Sequence, residues 1–217
     1  MTAPVFLGIG AGPGLGLNVA ECFARDGYSI VLCTRTETEA QPLAQRLRAA
    51  GHQAWGAGAD LGDPEEVARM VATIGHRHGR IDVLHFNPSI FREVDPLELT
   101  VADLVADFTI GAAALLPAVQ AARPYLGRGA RILVTGSAAA DKPWYRAASL
   151  GVQKAAVRNL VTSLDTALAP DGVRAVAVQV NGVLDTGPFT RERVAAALYA
   201  AATRPESEWT PHVSYDG

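Results

Sequence analysis

The sequence predicts an α/β fold in which one parallel sheet is wound on both faces by helices. Apolar runs that read as strands alternate with helix-like segments through short turns almost to the end of the chain. The runs are apolar at successive positions, as strands covered on both sides require. A glycine-rich turn, Gly10-Ala11-Gly12-Pro13-Gly14-Leu15-Gly16, follows directly on the first run, Val5-Phe6-Leu7-Gly8-Ile9. Bare backbone between a buried strand and a helix lets a phosphate group approach, and the helix start adds unpaired N–H groups and a positive dipole end. The spacing is G-xxx-G-x-G, not the G-x-G-x-x-G of longer dehydrogenases.

The remaining elements follow in order. Tyr28 to Thr34 is a β-rich run, and Thr36 to Ala50 carries leucines at helical spacing until Gly51 stops it. Gln53 to Ala59 is a weaker strand. Asp63-Pro64-Glu65-Glu66 starts a helix, with an N-cap, proline at N1 and acids in the first turn. Ile81 to Phe86 reads as a buried strand. Thr100 caps a long Ala/Leu-rich helix running towards Leu126, with a distortion expected at Pro117. Arg131 to Thr135 is a strand, Ala147 to Ala169 a helix closed by Pro170-Asp171-Gly172, Val173 to Val180 a strand, and Thr190 opens a last helix. The economical architecture is a single Rossmann-like, doubly wound domain over residues 1–217, of strand order 3-2-1-4-5-6, with a seventh strand left open.

Bulk properties narrow the function. The chain has 217 residues, 49% hydrophobic and 19% charged, which fits a globular protein with a sizeable core. A net charge of −3 with scattered basic residues argues against a nucleic-acid surface. The apolar stretch Ile110 to Val119 is too short to span a bilayer, and a strand beginning near residue 4 leaves no room for a signal peptide, so a cytoplasmic protein with no membrane partner is expected. Cys22 and Cys33 read as small apolar residues, not as a disulfide or metal pair.

In a doubly wound sheet, ligand contacts gather at the C-terminal ends of the strands. The second strand ends Cys33-Thr34-Arg35-Thr36, with no acid before Glu37. Arg35 and Thr36 there suit a 2′-phosphate, so NADP(H) is preferred over NAD(H). Asp60-Leu61 either meets the adenine edge or, through Asp60, caps the next helix. Asn87 follows the fourth strand and can bond strand backbone and ribose, whereas His85 reads as packed before it serves chemistry.

Together these features resemble the short-chain dehydrogenase/reductase family from Val5 to about Phe189. The resemblance rests on Gly10-xxx-Gly14-x-Gly16, Asp60-Leu61, Asn87, Gly136-Ser137, the helix around Lys154, Leu168-Ala169-Pro170-Asp171-Gly172-Val173-Arg174, and Asn181-Gly182 through Asp185-Thr186. It implies a cofactor site of Gly10, Gly12, Gly14, Leu15, Gly16, Arg35, Thr36, Asp60, Leu61, Asn87, Lys154 and Thr186. It also implies hydride exchange with a small carbonyl or hydroxyl substrate, in which serine polarises the carbonyl, lysine grips the nicotinamide ribose and a tyrosine gives the proton. A homodimer or homotetramer through the long central helices is implied too, and the segment Asn181 to Phe189, briefer than the insertion that forms the family's substrate lid, implies an open or partner-covered pocket.

The tyrosine position, four residues before Lys154 on one helical face, holds Leu150, and the asparagine that orders a relay water aligns with Gly111 or, in an ungapped shift, with Phe108. Ser137 and Lys154 remain as catalytic candidates, with Tyr145 in the preceding loop as a substitute proton donor. Besides this oxidoreductase, the stripped site is compatible with a cyclase, isomerase or lyase on the same fold, or with an inactive NADP(H)-binding sensor or partner subunit.

Overall fold

Alternation along the strands sorts the core into two layers. In the computed structural model, which describes residues 3–217, Leu7, Ile9, Val31, Cys33, Leu84 and Phe86 face one side of the sheet. Phe6, Ile30, Leu32 and Val83 face the other, as the two-residue period of a strand dictates. The strands are β1 (Val5–Ile9), β2 (Ser29–Thr34), β3 (Ala54–Gly58), β4 (Val83–Phe86), β5 (Arg131–Ser137), β6 (Arg174–Val180) and β7 (His212–Tyr215). All pair in parallel in the order β3-β2-β1-β4-β5-β6-β7, so the expected order holds and the seventh strand lies beside β6. The chain reverses its direction of travel across the sheet between β1 and β4, where a crevice opens at the strand ends.

Helices α1 (Leu15–Arg25), α2 (Glu37–Ala49) and α7 (Arg191–Thr203) cover the face that holds Phe6. The other face is covered by α3 (Pro64–His78), α5 (Leu115–Ala122) and α6 (Ala148–Leu168). Phe6 is fully buried and stacks on Phe23 of α1 at 4.7 Å, a contact worth about 2–3 kcal/mol in burial. The caps read from sequence at Asp63 and Thr100 form, Asp63 accepting from Glu65 and Glu66 N–H and Thr100 from Asp103 N–H; Thr36 and Thr190, at the starts of their helices, also cap, accepting from Glu39 and Arg193 N–H. Asp63, not Asp60, therefore caps α3. Both cysteines are free, and burial pushes the Cys33 thiol up to about 12.

The expected distortion of the long central helix is displaced. After α4 (Val101–Phe108) the chain widens into a π-helical turn over Thr109–Ala113, in which Ala114 N–H donates to Thr109 C=O at 2.9 Å. Pro117 sits in the first turn of α5, where its missing N–H is tolerated; the break lies upstream, around Gly111. From Val101 to Tyr125 this helical path is long and apolar enough to cross a membrane by length and composition alone. Its Ala112, Leu115, Ala118, Val119 and Ala122 belong to the core described above.

Candidate active site

The C-terminal ends of the strands build the site. Where β1 ends, Gly10 turns with φ +73°, and the Gly10 and Ala11 N–H groups both donate to the Cys33 carbonyl at 3.0 Å, hinging the turn on β2. A Cβ on Gly10 would lie 2.8 Å from Pro88 Cγ, whereas one on Gly12 would meet nothing within 4 Å and would project into open cleft. Gly14 precedes α1 without a side-chain cap, and Leu17 N–H donates to the Gly12 carbonyl at 3.3 Å, which leaves the Leu15 and Gly16 N–H groups for a ligand. Arg191, at the start of α7, would stand 3.3 Å from a Cβ on Gly14 and brings positive charge to the turn. It is held by Asp185, a residue in the left-handed region at φ +65°.

A cavity of about 960 Å³ runs from this turn along the sheet edge. Gly10, Gly12, Gly14, Leu15, Gly16, Arg35, Leu61, Asn87, Ser137 and Lys154 all line it. A smaller cavity of about 240 Å³ adds Asp60 beside Leu61 and Arg35, with Asp60 Oδ1 accepting from Gly62 N–H at 2.8 Å. Thr36 and Thr186 are not among the lining residues: the Thr36 hydroxyl is spent on its cap, and Thr186 Oγ1 donates to the Val183 carbonyl. Arg35 is exposed and bonds Glu39 at 2.8 Å, one helical turn away. Glu39 itself lines the cleft, an acidic neighbour of Arg35 that lies beyond the strand end in sequence.

Beneath the cleft a polar chain links the strands. Thr135 Oγ1 donates to Asn87 Oδ1 at 2.7 Å, so it accepts from His85 Nε2–H at 2.9 Å, and Asn87 Nδ2 donates to the Gly10 carbonyl at 3.1 Å. This fixes His85 as the neutral Nε2–H tautomer. Burial, aided by the Lys154 charge, pushes its pKa down to about 3. His85 is thus a packed histidine that orients Asn87 through Thr135.

Lys154, on α6, is 5% exposed. Its Nζ donates to the Thr135 carbonyl at 2.9 Å and to the Pro88 carbonyl at 3.3 Å, and burial lowers its pKa to about 8. Ser137, at the end of β5, accepts from Ala139 N–H and keeps its own hydroxyl proton free to donate. One turn before Lys154, Leu150 adds an apolar side chain to the cavity wall. Tyr145 is not a lining residue: its ring is 62% exposed and meets Trp144 edge-on.

Behind the lysine lies a feature that no sequence signal announced. Gln153 is fully buried, accepts from Ile90 N–H at 2.9 Å and donates to Ile90 C=O at 3.1 Å. A Cβ on Gly111 would lie 1.9 Å from its Oε1, so the missing side chain in the π turn makes room for this amide. Asp107 of α4 is likewise buried, bonded twice by Arg92 and once by Ser149 Oγ, and the guanidinium holds its carboxyl below the usual range. These partners sit on different elements, which is why spacing alone did not reveal them. Among the described residues no group of three or more His, Cys, Asp or Glu side chains is placed to hold a metal ion.

A glycine turn at the switch point of a seven-stranded parallel sheet, with a buried lysine across the crevice, defines the class as a Rossmann-like nucleotide fold. The family model described as short chain dehydrogenase matches residues 4–195, and the chain belongs to that family. It is 27% identical over 164 residues to dehydrogenase/reductase SDR family member 4 of Oryctolagus cuniculus, covering 74% of this chain and 63% of that protein. It is 30% identical over 173 residues to the short-chain reductase protein NovJ of Streptomyces niveus, covering 78% and 65%. The chain thus spans less than two thirds of the length of these curated relatives. Among solved structures, a short chain dehydrogenase from Burkholderia cenocepacia J2315 in complex with NADP superposes with TM-score 0.90 at 25% identity, covering 100% of this chain and 97% of that one. A dehydrogenase/reductase from Sinorhizobium meliloti 1021 does so with TM-score 0.90 at 23% identity, covering 100% and 95%, a likeness of fold.

Proposed function

We propose that this protein is an NADP(H)-dependent oxidoreductase acting on a carbonyl or hydroxyl group of a small molecule, with a proton donor other than the family's tyrosine. The observation that carries the reading is the buried Lys154 ammonium facing the same cleft as the open glycine turn. Gly10, Gly12, Gly14, Leu15 and Gly16 fit a diphosphate, since Gly12 leaves the space a side chain would fill. Arg35 meets the 2′-phosphate; Asp60 and Leu61 flank the adenine; Asn87 serves the nicotinamide half. The similar Burkholderia cenocepacia protein in complex with NADP supports the choice of cofactor.

NADPH supplies the hydride when bound. The chain's own residues do the rest. Ser137 donates a hydrogen bond to the substrate oxygen. Leu150 and Gly111 stand at the family's tyrosine and asparagine positions, and neither can move a proton. Lys154 has three N–H protons, of which two point to the Thr135 and Pro88 carbonyls, so the third is free for the substrate oxygen or a water on it. A pKa of about 8 suits a general acid at neutral pH, and this makes Lys154 the favoured donor over the exposed Tyr145. In reduction the carbonyl carbon gains the hydride, the π pair moves to oxygen, and that oxygen takes the lysine proton, which solvent restores. Val101, Val105, Leu116 and Val152 are exposed along α4, α5 and α6 and suit the proposed homodimer or homotetramer.

Calorimetry with NADPH and NADH tests the cofactor reading. NADPH is expected to bind more tightly. Arg35→Ala should weaken NADPH by about tenfold and leave NADH unchanged. Glu39→Gln, which frees Arg35 from its ion pair, should tighten NADPH. Absence of binding by either nucleotide would refute the proposal.

A further inference from the structure

Phe91 stands in the wall of the cleft, and two further exposed aromatic side chains, Trp144 and Tyr145, extend from it outside the lining. Phe91 lines the cavity yet is 62% exposed, and Trp144, 48% exposed, stacks on it with centroids 6.3 Å apart and planes 16° from parallel. Tyr145 meets Trp144 edge-on at 6.5 Å. Isolated exposed apolar residues are ordinary; three contiguous aromatic rings beside a cavity are not.

These rings are also held in place. Val94 N–H donates to the Arg146 carbonyl at 2.9 Å, Val94 and Ala147 form a parallel bridge, and Arg146 pairs with Glu93 at 3.1 Å, so the segments bearing Phe91 and Trp144 are tied together. Next to Phe91, Arg92 grips buried Asp107 through two bonds of 2.9 Å, and Ser149 Oγ joins the same carboxylate at 2.8 Å. A loose apolar loop would turn its rings inward. This one is fixed with its rings outward, and a preformed surface spares a ligand the entropy of ordering it. The adjoining wall of the cleft is apolar, formed by Leu150, Ile110 and Leu184.

We propose that the Phe91–Trp144 ledge, with Tyr145 at its edge, is the substrate-binding surface of the cleft and selects flat aromatic carbonyl compounds. The proposal rests on the oxidoreductase reading for the reaction performed on the bound molecule. Offset stacking on a fixed ring pair contributes about 0.5–1.5 kcal/mol beyond area burial, a preference of up to about tenfold over a saturated ring of the same carbon skeleton.

Equilibrium dialysis of 2-acetylnaphthalene and 2-acetyldecalin against NADP⁺-saturated protein measures this preference directly. The naphthyl ketone is expected to bind about tenfold more tightly. Trp144→Leu and Phe91→Leu, which retain apolar bulk and remove the π face, should each reduce the preference to about twofold or less. NADPH affinity should be unchanged in Trp144→Leu. Equal affinity for the two ketones, a preference that survives in both leucine variants, or binding of neither ketone would overturn the proposal. Failure of NADP⁺ itself to bind refutes the oxidoreductase reading instead; the ketone comparison then reads the ledge alone in nucleotide-free protein.

Discussion

At neutral pH Lys154 is a buried ammonium whose neighbours are backbone carbonyls, and no carboxylate bonds its Nζ among the described residues. Burial lowers its pKa from 10.5 to about 8, so the charged form is lost at a pH that leaves an exposed lysine untouched. The reductive rate should therefore fall as pH rises through about 8, and Lys154→Met should remove both that limb and nearly all turnover, a loss of about 10²–10⁴-fold measured by NADPH oxidation. Stability moves the other way. Between about 8 and 10.5 the unfolded chain binds more protons at this position, so the lysine's contribution grows with pH across that window. Thermal melts of the wild type and Lys154→Met should converge there. Asn87 was legible from its place at a strand end, whereas Ser137 and Lys154 were singled out only through the family resemblance, because a serine after a strand and a lysine on a helix are ordinary in themselves. Glu39 beside Arg35 was not, since its approach depends on how α2 starts.

Among the elements, the widened turn between α4 and α5 shows how a helix adapts to a neighbour. Gln153 enters from α6 and pairs both amide atoms with the backbone of Ile90, which leaves no space for a side chain on Gly111. Gly111→Ala should displace the amide and leave the Ile90 N–H and C=O without partners, costing about 1–3 kcal/mol in chemical denaturation. If the clash is the cause, adding Gln153→Ala to that variant should cost less than the sum of the two single changes. The capped helices and central strands were readable because their signals are local: Asp63 and Thr100 each sit next to the turn they close. The sequence points to a distortion at Pro117 instead, because proline is a visible breaker while a glutamine from another helix is not.

For the whole molecule, the end of the sheet away from the cleft is tied by charge around one indole. Arg131, Arg174 and Arg204 lie 4.8–5.3 Å from the Trp209 ring centroid, and Asp165 accepts from Arg174, from Ala175 N–H and from Trp209 Nε1. This cluster joins α6, β5, β6 and the segment leading to β7, an edge strand too short and half-buried to announce itself by pattern. Asp165→Ala should destabilise the fold by about 2–4 kcal/mol at pH 7. Burial raises the Asp165 pKa, but Arg174 and its other partners more than offset this and hold it low, so the wild-type advantage should vanish as pH falls below the ordinary aspartate value. At the opposite end of the sheet a different rule applies. His85 stays uncharged down to about 3, so the relay of donors from β4 to the first glycine cannot reverse anywhere in the range a cell experiences. The cradle is thereby deaf to acidity while the amine beside it listens, and an assay at rising alkalinity should find the nucleotide still seated long after chemistry has slowed.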